Sequence, residues 1–484
     1  MASFSSLSIL LLLLLLHPPS PAAARSASRE SLEIIIGGGT KNPDPNPKYP
    51  TPMPEYPPPT PKYPTPAPKY PPPTPKYPTP APKYPPPTPK YPPPAPKYPP
   101  PTPKYPPPPE FENERLRKAY FVIQRLRKKI TGGRMDVVKT WKGKDVCRYK
   151  GFRCDPLPVE KERAVSAVMF NGFKFQGPEL CLEGFMDELD DIAVFHANSN
   201  FFLGPIPKKI NRQRFFYEMD LSNNKLPGGF PNNVLGASLL TFLDLRFNNY
   251  CGPVPEQLFN LDIISAIYIN NNQFSSALPS NLGRTPARFL TFANNQFTGQ
   301  IPRSIGDAKK TMEEIVFFNN KLDGYLPCEI GNLENAVLFD AGKNRLTGPI
   351  PLSFACLAKA ELLYLADNQL YGPVPEEICK LPKLGNFTLR NNFFTKVGPA
   401  CKKLIKKKIL DVSNNCIPGL PNQRCEEDCE EFACRPKYHG NDKSFTYIPC
   451  KNNYYLHSHV SEPSDNVNYV SPKRTYAALA PDPQ

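Results

Sequence analysis

An asparagine returns ten times along one stretch of the chain, at Asn200, Asn224, Asn248, Asn272, Asn295, Asn320, Asn344, Asn368, Asn392 and Asn415, with spacings of 23 to 25 residues. Around each lies one pattern: apolar residues at minus five and minus three, usually another at plus two, often Gly at plus four and usually Pro at plus seven. MDLSNNKLPGGFP and LDLRFNNYCGPVP are two examples. The alternating apolar pair marks the inward face of a short strand. The Asn amide can bond the backbone where the chain turns its corner. One such coil has nowhere to bury its apolar edge except against the next, so the coils must stack into a solenoid with a parallel sheet along one side.

The expected fold class is therefore a leucine-rich repeat solenoid, an α/β-type right-handed coil with a parallel β-sheet on its concave face. Its ends decay. AVSAVMFNGFKFQGPEL has Phe173 in the Asn place, the Asn392 unit has Lys396 where Gly is expected, and Asn415 runs into Cys416, Cys425, Cys429 and Cys434. Such decay marks caps, which a solenoid needs to present a polar outer surface. Ahead of the repeats, Leu116, Ala119, Tyr120, Ile123, Leu126 and Ile130 fall at three-and-four spacing. They predict an amphipathic helix of about five turns, ended by Gly132 and Gly133, with a basic outer face read as solvated. Cys147 and Cys154 are expected to close a small disulfide loop that fixes this end, since no Cys-x-x-Cys or His pair accompanies them to suggest a metal.

A second repeat precedes the first. Tyr49, Tyr56, Tyr63, Tyr70, Tyr77, Tyr84, Tyr91, Tyr98 and Tyr105 recur every seven residues among prolines, as in KYPPPTPKYP. This is not a coiled-coil heptad, because each Pro removes a backbone donor and would break a helix. A disordered or polyproline II rod remains, reaching roughly 195 Å if fully extended at ~3.1 Å per residue. On its three-residue turn, successive tyrosines rotate by ~120° and stand ~22 Å apart. They present Tyr beside Lys on all sides, suited to oxidative coupling with other molecules and to contact with acidic pectin.

The compartment follows from the termini and the cysteines. MASFSSLSILLLLLLLHPPSPAAA reads as a secretory signal with cleavage near Ala24, its apolar run being too short to span ~30 Å of hydrocarbon. No later segment resembles a membrane-spanning helix, and RTYAALAPDPQ carries no tail for lipid anchoring. Thirteen cysteines fit an oxidising compartment, and their odd number leaves at least one thiol free or paired with another chain. The formal charge is +15, and Lys41 to Pro109 contributes nine Lys against Asp44 and Glu55. For an exported chain this favours acidic polysaccharide over nucleic acid. The expected division is signal peptide 1–24, linker 25–46, proline-rich rod 47–109, helix and disulfide cap 110–163, repeats 164–420, Cys-rich cap 421–450 and polar tail 451–484, with Cys450 the one possible tie from the tail.

Side chains at minus six, minus four and minus two should face the concavity. The minus-four column includes His196, Asp220, Asp244, Tyr268, Asp340 and Tyr364, and the minus-two column includes Phe318, read as exposed. These aromatics and acids are the candidate ligand contacts, suited to a basic, partly apolar peptide or small protein. For catalysis there is little: no nucleophile elbow, no His-Glu-x-x-His and no phosphate loop. Asp220 and Asp244 would lie roughly 5 Å apart on adjacent strands, but equal positions in a repeat create such pairs automatically. His457-x-His459 is a weak metal signal. No cofactor or metal is expected. Asn386-Phe387-Thr388 is the chain's one glycosylation sequon, at the sheet's exposed side.

FANNQFTGQIPRSIG, LPCEIGNLENAVLFDAGKNRLTGPIP and EEICKLPKLGNFTLRNNFFTKVGPAC, with the helix before Trp141 and Asn415-Cys416-Ile417-Pro418, resemble the leucine-rich repeat extensin proteins of plant cell walls over about residues 111–435. The segment bearing Asn386, Cys379 and Cys401 is among the more specific parts. The resemblance implies a secreted, non-enzymatic wall protein whose repeats bind basic, cysteine-rich rapid alkalinization factor peptides. It also implies a hydroxyproline-rich module that insolubilises the protein in the wall, action alongside receptor kinases of the malectin-like type, and self-dimers. Here the proline-rich module precedes the repeats instead of following them, and it lacks the serine-plus-proline-run units of extensins. The coil is also similar to that of polygalacturonase-inhibiting proteins, which would make the chain an enzyme inhibitor.

Overall fold

Each coil is built the same way, from the strand outward. In the computed structural model, which describes residues 111–435 and 443–450, short strands such as Val194–His196, Glu218–Asp220 and Phe242–Asp244 pair in parallel, continuing to Leu410–Asp411. The concave sheet has twelve strands. Its first pair, Phe152–Pro156 with Arg163–Met169, is antiparallel, and every later pairing is parallel. The expected signal peptide, linker, proline-rich segment with its nine tyrosines, and polar tail lie outside the described residues.

At the corner after each strand the residue before the repeat Asn takes the left-handed conformation, from Ser199 (φ 56°) to Asn414 (φ 56°). The Asn then locks the turn across two coils. Asn224 Nδ2 donates to Leu221 O and Ser222 O of its own coil and to Ala197 O of the coil before, while its Oδ1 accepts from Phe202 N at 3.0 Å. The same four contacts recur down to Asn415, so each Asn satisfies backbone groups that would otherwise be buried without partners.

Past the Asn, the chain forms a second, eight-stranded parallel sheet from Pro227–Gly228 to Phe393–Lys396, which the strand pattern of the sequence had not announced. The glycine at plus four sits in this sheet with positive φ, as in Gly252 (74°) and Gly324 (74°). Its use is conformational, since L side chains rarely adopt that backbone. The proline at plus seven precedes a 3-10 turn on the convex side, as Pro255 does for Glu256–Asn260. Inside, phenylalanines from successive coils stack, Phe292 on Phe317 at 5.5 Å between ring centroids.

The N-terminal helix runs Glu114–Lys129, with Asn113 Oδ1 accepting from Leu116 N at 2.9 Å. It buries Leu116, Ala119, Val122, Ile123 and Leu126 and leaves Tyr120 half-buried. The glycine pair does not end it. Gly133 instead lets the chain pass a neighbour, for a Cβ there would meet Lys174 O at 2.2 Å. The basic face of the helix is engaged rather than merely solvated: Arg115 bonds Asp191 at 2.7 Å, and Lys118 and Arg125 pair with Asp190 and Glu188. Below it Trp141 is fully buried among Phe152, Phe170 and Phe175, beside a Cys147–Cys154 disulfide.

Three more disulfides, Cys379–Cys401, Cys416–Cys429 and Cys356–Cys450, close the other end. Cys450 thus joins residues 443–450 to the body across 94 positions of sequence. Cys181, Cys251, Cys328, Cys425 and Cys434 remain as thiols. The capping helix Glu426–Cys434 lays Phe432 flat on Phe393, centroids 3.7 Å apart, and so covers the last strand of the second sheet.

Candidate ligand-binding face

The concave sheet carries its side chains on parallel rungs, so residues at equal positions of adjacent coils lie side by side. Crowding follows. His196, Asp220, Asp244 and Asp340 retain 6%, 6%, 0% and 3% of their exposure. The reading of these four as open ligand contacts is corrected accordingly. A carboxylate at minus four turns back onto its own coil: Asp220 Oδ1 accepts from Ser222 N and Oγ, while its Oδ2 accepts from Asn198 Nδ2 of the coil before at 2.7 Å. Asp340 Oδ1 accepts from Gly342 N at 2.8 Å. Neighbouring rungs then roof these groups.

The electrostatics reflect that burial. His196 Nε2 lies 3.0 Å from Glu218 Oε2, a buried pair on adjacent strands. Asp244 Oδ2 lies 2.9 Å from Arg246 Nε, and the Arg246 guanidinium stands 5.3 Å from the Tyr268 ring centre. Burial pushes the Asp244 carboxyl up to about 8, with Arg246 pulling it down and Asp220 pushing it further up. The Asp220 and Asp244 carboxyls are therefore buried and turned to different partners, Asp220 to Ser222 and Asn198 and Asp244 to Arg246, instead of flanking an open cleft, which is not the setting of a glycosidase pair. Burial likewise raises Asp340 to about 7, and burial with Glu313 nearby raises Glu314 to about 7.

What stays partly open on the concave side is apolar and aromatic. Phe318, Leu362 and Tyr364 are half-buried and pack on the buried Ala293, Val316 and Leu338, in a cluster separate from the solenoid core. Phe318 is thus partly covered rather than exposed. Upstream, Phe242 and Tyr268 meet at 5.7 Å and continue the aromatic surface. Glu314 falls between Phe289 and Leu338, and Asp340 between Val316 and Tyr364. Each acid is thereby set among apolar neighbours. Glu314, Leu338 and Leu362 belong to the minus-six column, whose residue types follow no pattern that marks them in the sequence. Asn386 is the first residue of strand Asn386–Thr388, half-buried beside Leu362 at the end of the same column.

Among the described residues no helix is long and apolar enough to cross a membrane. No protein-family model matches the chain. Leucine-rich repeat extensin-like protein 2 of Arabidopsis thaliana is 40% identical over 236 residues, covering 49% of this chain and 30% of that protein. Leucine-rich repeat extensin-like protein 6 of the same plant is 38% identical over 330 residues, covering 68% of this chain and 69% of that protein. The chain spans 30% to 44% of the length of the first three such relatives. Among solved structures, a plant ice-binding protein superposes with a TM-score of 0.51 at 19% identity, covering 64% of this chain and 97% of that one, a likeness of fold alone. With the solenoid, its caps and this level of identity, the chain belongs to the leucine-rich repeat extensin-like proteins.

Proposed function

We propose that the chain is a secreted, non-enzymatic plant cell wall protein whose concave face binds a basic, cysteine-rich peptide of the rapid alkalinization factor type. The observation that carries this is the half-buried row of Phe318, Leu362 and Tyr364 on the concave sheet, supported by buried Val316 and Leu338, with half-buried Glu314 beside it. Aromatic and aliphatic side chains anchor a partner's apolar residues. Glu314, half-buried beside them, keeps solvent contact where Asp340 does not, and its carboxyl favours a basic ligand. In this reading the Lys-Tyr-Pro segment associates with wall polysaccharide and couples through its tyrosines, while a glycan on Asn386 limits access from one end of the sheet.

Capture of such a peptide by the full chain tests it. Phe318→Ala and Tyr364→Ala, buried only in part, should each weaken capture about tenfold. Unchanged affinity in both variants would reject the concave face as the binding surface.

A further inference from the structure

Between Glu377 and Asp411 the chain has nine basic residues and no acid. Five of them crowd one short element: Lys402, Lys403 and Lys406 on the helix Pro399–Lys406, Lys407 at its end and Lys408 just beyond. The Cys379–Cys401 disulfide, with Cα atoms 5.1 Å apart, clamps this helix against the 3-10 turn Ile378–Lys380 and so brings Lys380 alongside, with Lys383 three residues further along the chain. All seven lysines are exposed, and none has an ion-pair partner among the described residues. The nearby Glu376 is committed elsewhere, its Oε1 accepting from Ala400 N at the helix start.

Solubility does not explain this arrangement. The N-terminal helix is as basic, yet Arg115, Lys118 and Arg125 each face an acid. In Pro399–Lys406, Lys402 and Lys406, and Lys403 and Lys407, are like charges four residues apart, which disfavours the helix. Lys402 lies toward the helix N-terminus, where the macrodipole opposes a cation. Lys408 adopts φ 57° in the position just past the helix, where Gly is cheaper. Local stability is given up at three points for the sake of positive charge.

We infer that this lysine surface is a binding site for a linear polysaccharide carrying a carboxylate on each sugar, that is, a polyuronate. Leu404 and Ile405 pack inward against the core, so the surface offers charge without the apolar centre that a folded protein partner requires. Lysines on flexible stems match a flexible chain of single carboxylates, whereas arginines are the usual choice for bidentate recognition. No aromatic stands among them to stack nucleobases. The site gives the repeat domain its own hold on the wall, separate from the Lys-Tyr-Pro segment and from the concave face. It rests on the extracellular, wall-associated reading above.

The test is salt-gradient elution of the full chain from immobilised polygalacturonate, with the fully methyl-esterified polymer and a single-stranded polynucleotide as comparison matrices. Replacing Lys380, Lys383, Lys402, Lys403, Lys406 and Lys407 by Gln should weaken binding at low salt about tenfold or more and flatten its salt dependence. The same positions changed to Arg should keep it. A parallel variant with the lysines of residues 47–109 changed to Gln measures that segment's share separately. Elution of the six-Gln variant at the wild-type salt concentration would overturn the proposal, as would equal retention on the esterified polymer or equally tight binding to the polynucleotide. Peptide capture by the concave face should be unaffected in the six-Gln variant, so the two readings fail independently.

Discussion

Asp340→Asn should make the protein more stable at neutral pH, although it alters a buried residue that is already hydrogen-bonded. Burial carries the Asp340 carboxyl from its ordinary 3.8 to about 7, against the opposing pull of the Gly342 N–H. Because the folded value lies above the unfolded one, its stabilising contribution is fully present below pH ~4, where both states are protonated. As pH rises from about 4 to 7 the unfolded chain ionises while the folded one does not, and stability drains away. The total is ~4 kcal/mol, at ~1.4 kcal/mol for each pH unit. Asn is neutral throughout, and its Oδ1 can keep the Gly342 bond. The variant and the wild type should therefore melt together near pH 4 and diverge above it, with the variant higher by ~5 °C at pH 8. Thermal denaturation of the full chain across this range measures it. A variant that melts lower at every pH would show that the carboxylate is ionised and paired in the folded protein, and would refute the reasoning.

Two further outcomes follow from the repeat patterns. Asn392→Ala removes donation to Leu365 O, Leu389 O and Arg390 O and leaves Leu370 N without its acceptor, at a site closed to water. It should cost ~3 kcal/mol or more and raise hydrogen exchange at the Leu370 amide, and unaltered exchange would contradict the cross-coil role of the Asn. Peroxidase with hydrogen peroxide should couple the protein into multimers with dityrosine fluorescence, and Phe at the nine tyrosines from Tyr49 to Tyr105 should suppress this; a wild-type protein that stays monomeric excludes the cross-linking role.

The backbone course of the solenoid was legible because its causes are local and recur. An inward apolar pair, a corner Asn and a Pro before the convex turn recur in every coil, and a coil that cannot bury itself has to stack. The roles of individual glycines were less legible: the repeat placed the plus-four glycines, but their positive φ emerged only in the structure, and Gly133 serves a close approach to Lys174 O that nothing nearby in sequence announces. The N-terminal helix was placed by its period, while its end at Lys129 was set by packing rather than by Gly132 and Gly133.

The candidate site divided along the same line. Sequence alone determined which columns belong to the concave sheet, because side-chain direction alternates along a strand whatever lies beside it. Whether a residue in a column meets solvent depends on rungs contributed from about 24 residues away on either side. Tertiary structure therefore decided that Asp220, Asp244 and Asp340 turn inward to their own coils while Phe318 and Tyr364 remain partly open. It likewise decided that Lys380 and Lys402 share one surface, since the bond that joins Cys379 to Cys401 spans 22 residues of sequence. Periodicity is written into a single coil, but exposure and juxtaposition are properties of the stack.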